Sequence, residues 1–94
     1  MKAIRTRYSG PTDTRGSRFT ATDSDGNRVT ISYDYSLNAD ANHEKAAYSL
    51  MRKMGWGNQL IGGGFGHDQY WVMVTVIGRD AIPAWQSYFE HTAA

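Results

Sequence analysis

Apolar and polar residues alternate along three segments of the first third of the chain, which predicts three β-strands. These segments are Lys2–Tyr8, Arg18–Thr22 and Arg28–Tyr33. Turn-forming residues at 9–16 separate the first two strands, and Asp25-Gly26 lies between the second and the third. Asp-Gly between two alternating runs is a strong short-range hairpin signal. We therefore expect one strand followed by a β-hairpin.

The hydrophobic period then changes to that of a helix. Between Ala39 and Met54 the apolar residues recur at spacings of three and four, which marks one buried face. Asn38 is suited to cap the amino end, and Gly55 is suited to end the helix in a left-handed conformation with Trp56 folding back on the last turn. The stripe consists of Ala46, Ala47, Leu50, Met51 and Met54.

Two further strands and a second helix are predicted in the last third. Leu60–Phe65 and Tyr70–Ile77 are the strands, with residues 66–69 as the turn, and the helix begins at Asp80 with Pro83 in its first turn. Tyr70–Ile77 is apolar on both faces, so it is either covered on both sides or has an apolar face without a partner. The predicted order is β-β-β-α-β-β-α. This is an α+β fold, an antiparallel sheet of about five strands with two helices.

Composition narrows the range of functions. A chain of 94 residues with a net charge of +1 is expected to form a single small domain without a charged tail. It contains no cysteine, which excludes disulfides and thiol catalysis and makes the bacterial cytoplasm the expected location. The longest apolar run, Tyr70–Ile77, is far shorter than the roughly 20 residues needed to span a bilayer.

The histidines offer the only candidates for catalysis. His67 next to Asp68 is the strongest, as a general base with an orienting carboxylate, but adjacent residues in a strand or turn usually point apart. His43 and His91 belong to no motif, and solvated surface histidines are the usual interpretation. No metal-ligand spacing and no phosphate-binding motif is present. We therefore expect neither an enzyme nor a metal or cofactor.

The three consecutive glycines at residues 62–64 call for a separate explanation. Glycines within a strand usually mark a bulge or the close approach of a backbone or a bulky ring. Trp56, Trp71 or Trp85 is expected to supply such a ring. The alternative is that a partner chain or a ligand approaches this strip.

The amino-terminal 20 residues are strongly basic, with five cations against one acid, while residues 21–44 hold five acids against one cation. Arginines beside Tyr8 are suited to contact phosphates and to stack on bases. Alternatively, these arginines keep an exposed strand face soluble and pair with the acids. Nucleic-acid binding is therefore a candidate function. The arginines are Arg5, Arg7, Arg15 and Arg18.

Several short motifs resemble a group of small proteins encoded on plasmids, phages and other mobile elements of proteobacteria. The resemblance covers residues 1 to about 77 and implies no catalytic residue. Such proteins include anti-CRISPR and other anti-defence inhibitors that bind and block a host complex, which implies a host defence ribonucleoprotein as a partner. The motifs that support it are Met1–Ile4, Thr6–Tyr8, Gly10–Thr12, Thr14–Arg18, Asp25–Asn27, Tyr33-Asp34, His43, Ala46-Ala47, Lys53–Trp56 and Gly62-Gly63.

Together these features predict a non-enzymatic protein-binding module. The alternative is a small nucleic-acid-binding protein that uses the amino-terminal arginines. A homodimer is a further candidate, because either Lys2–Tyr8 or the glycine strand is expected at an exposed sheet edge. Charge-assisted contacts to the partner are assigned to the arginines, and aromatic anchors to two rings. The predicted partner-binding residues are Arg5, Arg7, Tyr8, Arg15, Arg18 and Trp71.

Overall fold

A computed structural model describes residues 3–14, 16–66, 68–74 and 83–92. Five strands and two helices follow one another in the predicted order, which confirms the α+β fold. Their bounds are β1 Ala3–Ser9, β2 Arg18–Asp23, β3 Arg28–Ser32, α1 Ala39–Met54, β4 Gln59–Phe65, β5 Asp68–Val74 and α2 Ala84–Thr92.

All five strands form one antiparallel sheet in the order β3-β2-β1-β5-β4. The first strand is therefore central, and the glycine strand β4 is at an edge. Helix α1 connects the two edge strands. Its 16 residues span about 24 Å, and four strand spacings amount to about 19 Å, so the helix is long enough to cross the whole sheet.

Helix α1 packs against one face of the sheet and forms the core with it. Ala46 and Ala47 are fully buried, and their small side chains let the helix approach the strands closely. Across from the helix, Ile4 of β1 and Phe19 of β2 are also buried. Deletion of such side chains would leave cavities, so truncations on this face are expected to destabilise the fold. The core also contains Ala21, Tyr48, Leu50, Met51, Leu60 and Trp71.

Both ends of α1 are capped as predicted. The Asn38 side chain accepts a hydrogen bond from the Ala41 amide at 2.8 Å. Gly55 adopts φ 72°, and its amide donates to the Arg52 carbonyl. The Trp56 amide donates to the Met51 carbonyl, which completes the Schellman ending.

The strand ends differ slightly from the prediction. Strand β5 begins at Asp68 rather than at Tyr70, because Asp68 and Gln69 pair with Arg7 and Thr6 of β1. Residues 75–82, which include the end of the predicted strand and the predicted helix start at Asp80, lie outside the described residues.

Helix α2 follows Pro83 and packs on the same side of the sheet as α1. Tyr88 stacks on Tyr48 of α1 with ring centroids 4.7 Å apart. The Arg52 guanidinium lies 4.1 Å from the centroid of the Phe89 ring. Both helices therefore cover one face of the sheet. In the described part of the chain, neither helix is both long and apolar enough to cross a membrane.

Candidate functional site

The second face of the sheet is not covered by either helix, and we call it the open face. Strand register determines which side chains it presents, because residues that pair across neighbouring strands share a face. The open face consists of Arg28, Thr30 and Ser32 of β3, Arg18, Thr20 and Thr22 of β2, Ala3, Arg5 and Arg7 of β1, Asp68, Tyr70 and Val72 of β5, and Gln59, Ile61, Gly63 and Phe65 of β4.

Four large apolar side chains lie next to one another at the β4–β5 end of this face, and we call them the apolar zone. Their exposed fractions are 60% for Ile61, 79% for Phe65, 44% for Tyr70 and 40% for Val72. Ile61 is directly opposite Val72, and Gly63 is opposite Tyr70. Strand β5 is therefore apolar on both faces as predicted, with its Tyr70–Val72 face exposed.

Three arginines without a carboxylate partner in the described residues lie on the β1–β3 part of the open face, and we call them the basic zone. Arg5, Arg18 and Arg28 are interspersed with the threonines of β2 and β3. Arg5 is paired with Tyr70 of the apolar zone, so the two zones meet at the centre of the sheet. Arg5 and Arg7 share one face of β1, as their spacing predicts.

Arg7 differs from these three because it is held by an ion pair. Its Nε and Nη2 atoms donate to the two Asp68 carboxylate oxygens at 3.3 and 3.0 Å. The Arg7 guanidinium holds the pKa of Asp68 below its ordinary value, and the charge of Arg5 adds to this effect. Asp68 is therefore a structural partner of Arg7 rather than a free carboxylate, while His67 lies outside the described residues.

The other predicted partner-binding residues are distributed over both sides of the sheet. Arg18 is half-buried on the open face, and its Nη1 is buried with no hydrogen-bond partner in the described ranges. Tyr8 is 43% exposed but faces the helix side. Arg15 is outside the described residues. The six residues therefore do not form one surface.

Trp71 requires a correction. It was expected to anchor a partner at the surface, but only 7% of it is exposed. Its ring lies against Gly62, where an added Cβ would come within 3.0 Å of three ring atoms. The glycine strand therefore accommodates a tryptophan ring, as one of the two sequence interpretations predicts. Trp71 is a core residue.

A buried polar network on the helix side was not predicted. Trp71 Nε1 donates to Thr6 Oγ1 at 3.1 Å, and Thr6 Oγ1 lies 2.7 Å from His43 Nδ1. His43 is 5% exposed, so the expectation of a solvated histidine is wrong for it. Burial lowers the pKa of His43, against the opposing charges of Asp40 and Asp68. The signal was available in the sequence, because position 43 falls on the apolar stripe of α1.

An aromatic groove lies beside this network. It has a volume of about 570 Å³ and is lined by Tyr8, Phe19, Tyr33, Ala39 and His43. The Phe19 and His43 rings meet edge to face with centroids 4.8 Å apart. The groove is on the helix side of the sheet and is therefore separate from the open face.

A metal site is not evident in the described part of the chain, where no three acidic or histidine side chains are close enough together to hold an ion.

The comparisons with known proteins give no family: no family model matches the chain, and neither a curated protein nor a solved structure matches it.

Proposed function

We propose that this protein is a non-enzymatic protein-binding module and that the open face is its binding surface. The observation that supports the proposal is the apolar zone. Monomeric proteins rarely leave several large apolar side chains together in water, and such patches usually mark interfaces. Ile61, Phe65, Tyr70 and Val72 lie on adjacent strands and are each at least 40% exposed.

The basic zone defines the chemistry of the partner. Tyrosine and arginine are enriched at the energetic centres of protein interfaces. Tyr70 and Arg5 are neighbours where the two zones meet. A matching partner surface has an apolar centre with acidic groups on one side, because it must fit both the apolar zone and the arginines. The resemblance to mobile-element proteins makes host defence ribonucleoprotein complexes the first class to test, with inhibition of an anti-CRISPR type as the proposed activity.

Capture from bacterial lysate, with and without nuclease, tests this proposal. We expect a protein to be retained at near-equimolar amount in both arms. The variant Tyr70→Asp should reduce the retained amount at least tenfold, because it places a charge in the apolar zone. Retention that disappears with nuclease, or that is unaffected by Tyr70→Asp, would contradict the proposal.

Nucleic-acid binding is a second candidate that a specific observation supports. Arg5 lies beside the half-exposed Tyr70 ring on an open antiparallel sheet, an arrangement that suits phosphate contact and base stacking. The ion pair of Arg7 with Asp68 weakens this candidate, since it neutralises one of the four arginines on this face. Filter binding of single-stranded DNA at several salt concentrations tests it. Affinity that falls steeply with salt and with Arg5→Ala supports it, and absence of binding at low salt excludes it.

A second copy of the chain is the remaining candidate for the same surface. Closed symmetric dimers are the commonest way to bury an exposed apolar face. Light scattering at micromolar concentration distinguishes the cases. A mass near 10.5 kDa leaves the open face available for a different partner, and twice that mass assigns it to self-association.

A further inference from the structure

We propose that the outer edge of β4 binds an extended segment of a partner protein that has lysine or arginine at alternate positions. The segment pairs with β4 as a sixth strand, and its cationic side chains reach the carboxylates of Asp40 and Glu44 on α1. This surface is an edge of the sheet and not its open face, so the proposal does not rest on the proposed function.

The edge of β4 lacks the features that normally protect an exposed strand. β4 is the last strand of the sheet, and no described element pairs with its outer side. All of its residues except Leu60 are exposed. Natural edge strands are usually protected by charged residues, proline or a bulge. The β4 sequence QLIGGGF has neither charge nor proline, and its register with β5 is continuous.

The Leu60 amide indicates which backbone groups of β4 point outward. It donates to the Tyr48 hydroxyl at 3.4 Å, so it is directed away from β5. Outward and inward backbone groups alternate along a strand of an antiparallel pair. Gly62 and Gly64 therefore share the outward orientation of Leu60, and a bound strand would form hydrogen bonds with their amides and carbonyls.

A groove on the helix side of the sheet adjoins this edge, and we call it the β4 groove. It has a volume of about 530 Å³, and its lining includes Asp40, Glu44, Gly62 and Gly64. Residues that pair across neighbouring strands share a face, so side chains opposite these two glycines enter the groove. Because neither glycine has a side chain, the long stem of a lysine or arginine can lie across them toward α1.

The charges of the β4 groove select cationic side chains. Asp40 is exposed, and its carboxylate accepts a hydrogen bond from the neutral amide of Gln69 at 2.7 Å. Glu44 is one turn further along α1, on the same side of the helix. Within residues 3–14, 16–66, 68–74 and 83–92, neither acid forms an ion pair with a lysine or arginine. A cation that enters the groove therefore meets two carboxylates that it can pair with.

The same charges argue against a second copy of the chain at this edge. Antiparallel pairing of two β4 strands about a twofold axis would place the α1 helices of both copies on the same side of the joined sheet. Their acids would then repel one another across the junction. A basic segment avoids this repulsion. Since the whole chain has a net charge of +1, its overall charge does not attract such a segment, and the attraction is local to the groove.

Titration of the ¹⁵N-labelled protein with the end-capped heptapeptide TKTKTKT, followed by NMR, tests the proposal. We expect a Kd on the order of 0.1 mM, with the largest amide shifts at Gly62 and Gly64. The isomer TKKTTKT has the same charge, but no two of its lysines are two positions apart, so it should bind about fivefold more weakly. TETETET has the opposite charge and should bind about tenfold more weakly or not at all.

Two adjacent glycines provide matched variants. In Gly64→Val the new Cβ would meet Gln69 and Asp68 at 3.8 and 4.0 Å, which are ordinary contacts, so the fold is retained while the side chain fills the β4 groove. We expect TKTKTKT to bind this variant about tenfold more weakly. Gly63→Val places its side chain on the open face, where nothing lies within 4 Å, and should bind the peptide as the parent chain does. Circular dichroism checks that both variants are folded.

A second pair of variants tests the charges. Glu44→Gln should weaken peptide binding about fivefold. Asp13→Asn is its control, because Asp13 is exposed and does not line the β4 groove.

The proposal is overturned if TKTKTKT gives no saturable shift up to 2 mM (about twentyfold above the expected Kd), if TKKTTKT binds as tightly, or if Gly64→Val and Gly63→Val bind the peptide equally. A dimer that Gly64→Val dissociates would also overturn it, because a second copy would then occupy the edge. None of these results depends on Tyr70→Asp, which tests the open face, so the two proposals fail separately.

Discussion

Single residues on β4 show how closely the core is fitted. The inward face of this edge strand has glycine at position 62, where the Trp71 ring occupies the space of a side chain. The outward face has glycine at position 63, with nothing within 4 Å of an added Cβ. The same residue type therefore occupies two adjacent positions, one packed against a ring and one open.

Gly62→Ala should destabilise the protein by about 2 to 3 kcal/mol, because the methyl group forces the Trp71 ring away and strains its bond to Thr6. Gly63→Ala is the matched control and should be neutral or slightly stabilising, since it removes backbone entropy from the unfolded chain. Urea denaturation of both variants measures the difference. Equal free energies of unfolding would contradict the described packing of Trp71.

His43 makes the stability depend on pH. Its pKa is lower in the folded protein than its ordinary value of about 6.5, so the unfolded chain binds more protons in this range. The free energy of unfolding should therefore fall as the pH drops below about 6.5. Asp34, with its pKa lowered to about 2 by the Ser36 hydroxyl and Lys45, contributes only at more acidic pH. Urea unfolding at several pH values measures this dependence. The fall in the free energy of unfolding between pH 6.5 and 5 (roughly the range just below the ordinary pKa) should be absent in the variant His43→Gln.

The residue scale is also where prediction from sequence was weakest. The residue pattern of β5 indicates that both of its faces are apolar, but it does not indicate which face packs against the helix. Trp71 and Tyr70 are adjacent and similar in character, yet one is buried and the other is half-exposed. Their difference arises from the pairing of β5 with β1, which is distant in sequence. Local patterns do not contain that information.

At the scale of elements, most boundaries follow from local chemistry and were predictable. The Asp25-Gly26 turn forms as predicted, with Gly26 at φ 89° and the Asp23 carboxylate accepting hydrogen bonds from the turn amides of Asp25 and Asn27. The cap and stop of α1 also form as predicted. Strand order depends on long-range contacts, so the sequence pattern allowed either β1 or β4 at an exposed edge. The structure has β4 at the edge and β1 at the centre.

Asn42 fixes how the β3–α1 connection meets the helix. It is fully buried; its Oδ1 accepts from the Asp34 amide at 2.9 Å, and its Nδ2 donates to the carbonyls of Asp34, Leu37 and Asn38. Asn42→Ala removes these side-chain bonds, including the one that the Asp34 amide makes to Oδ1, and should cost about 2 to 3 kcal/mol. Asn38→Ala removes one exposed capping bond and should cost about 1 kcal/mol. Thermal unfolding of both variants tests this ranking, and a larger loss for Asn38→Ala would contradict it.

At the scale of the whole molecule, the fold places both helices on one side of the sheet, and no other described element covers the second side. This arrangement produces the open face, with an apolar zone on β4 and β5 and a basic zone on β1 to β3. The aromatic groove is on the opposite side. A change on the open face is therefore expected to leave the groove intact.

The most direct test of the open face as a protein-binding surface compares two exposed positions in one capture experiment. Ile61→Asp introduces a charge into the apolar zone at a position that is 60% exposed. Tyr35→Asp introduces the same charge at an 84% exposed position that follows β3, the strand at the opposite edge of the sheet from β4. After circular dichroism has shown that both variants are folded, we expect Ile61→Asp to lose at least 90% of the captured partner, a tenfold loss equivalent to about 1.4 kcal/mol, and Tyr35→Asp to retain it. Equal retention by the two variants would show that the partner binds elsewhere.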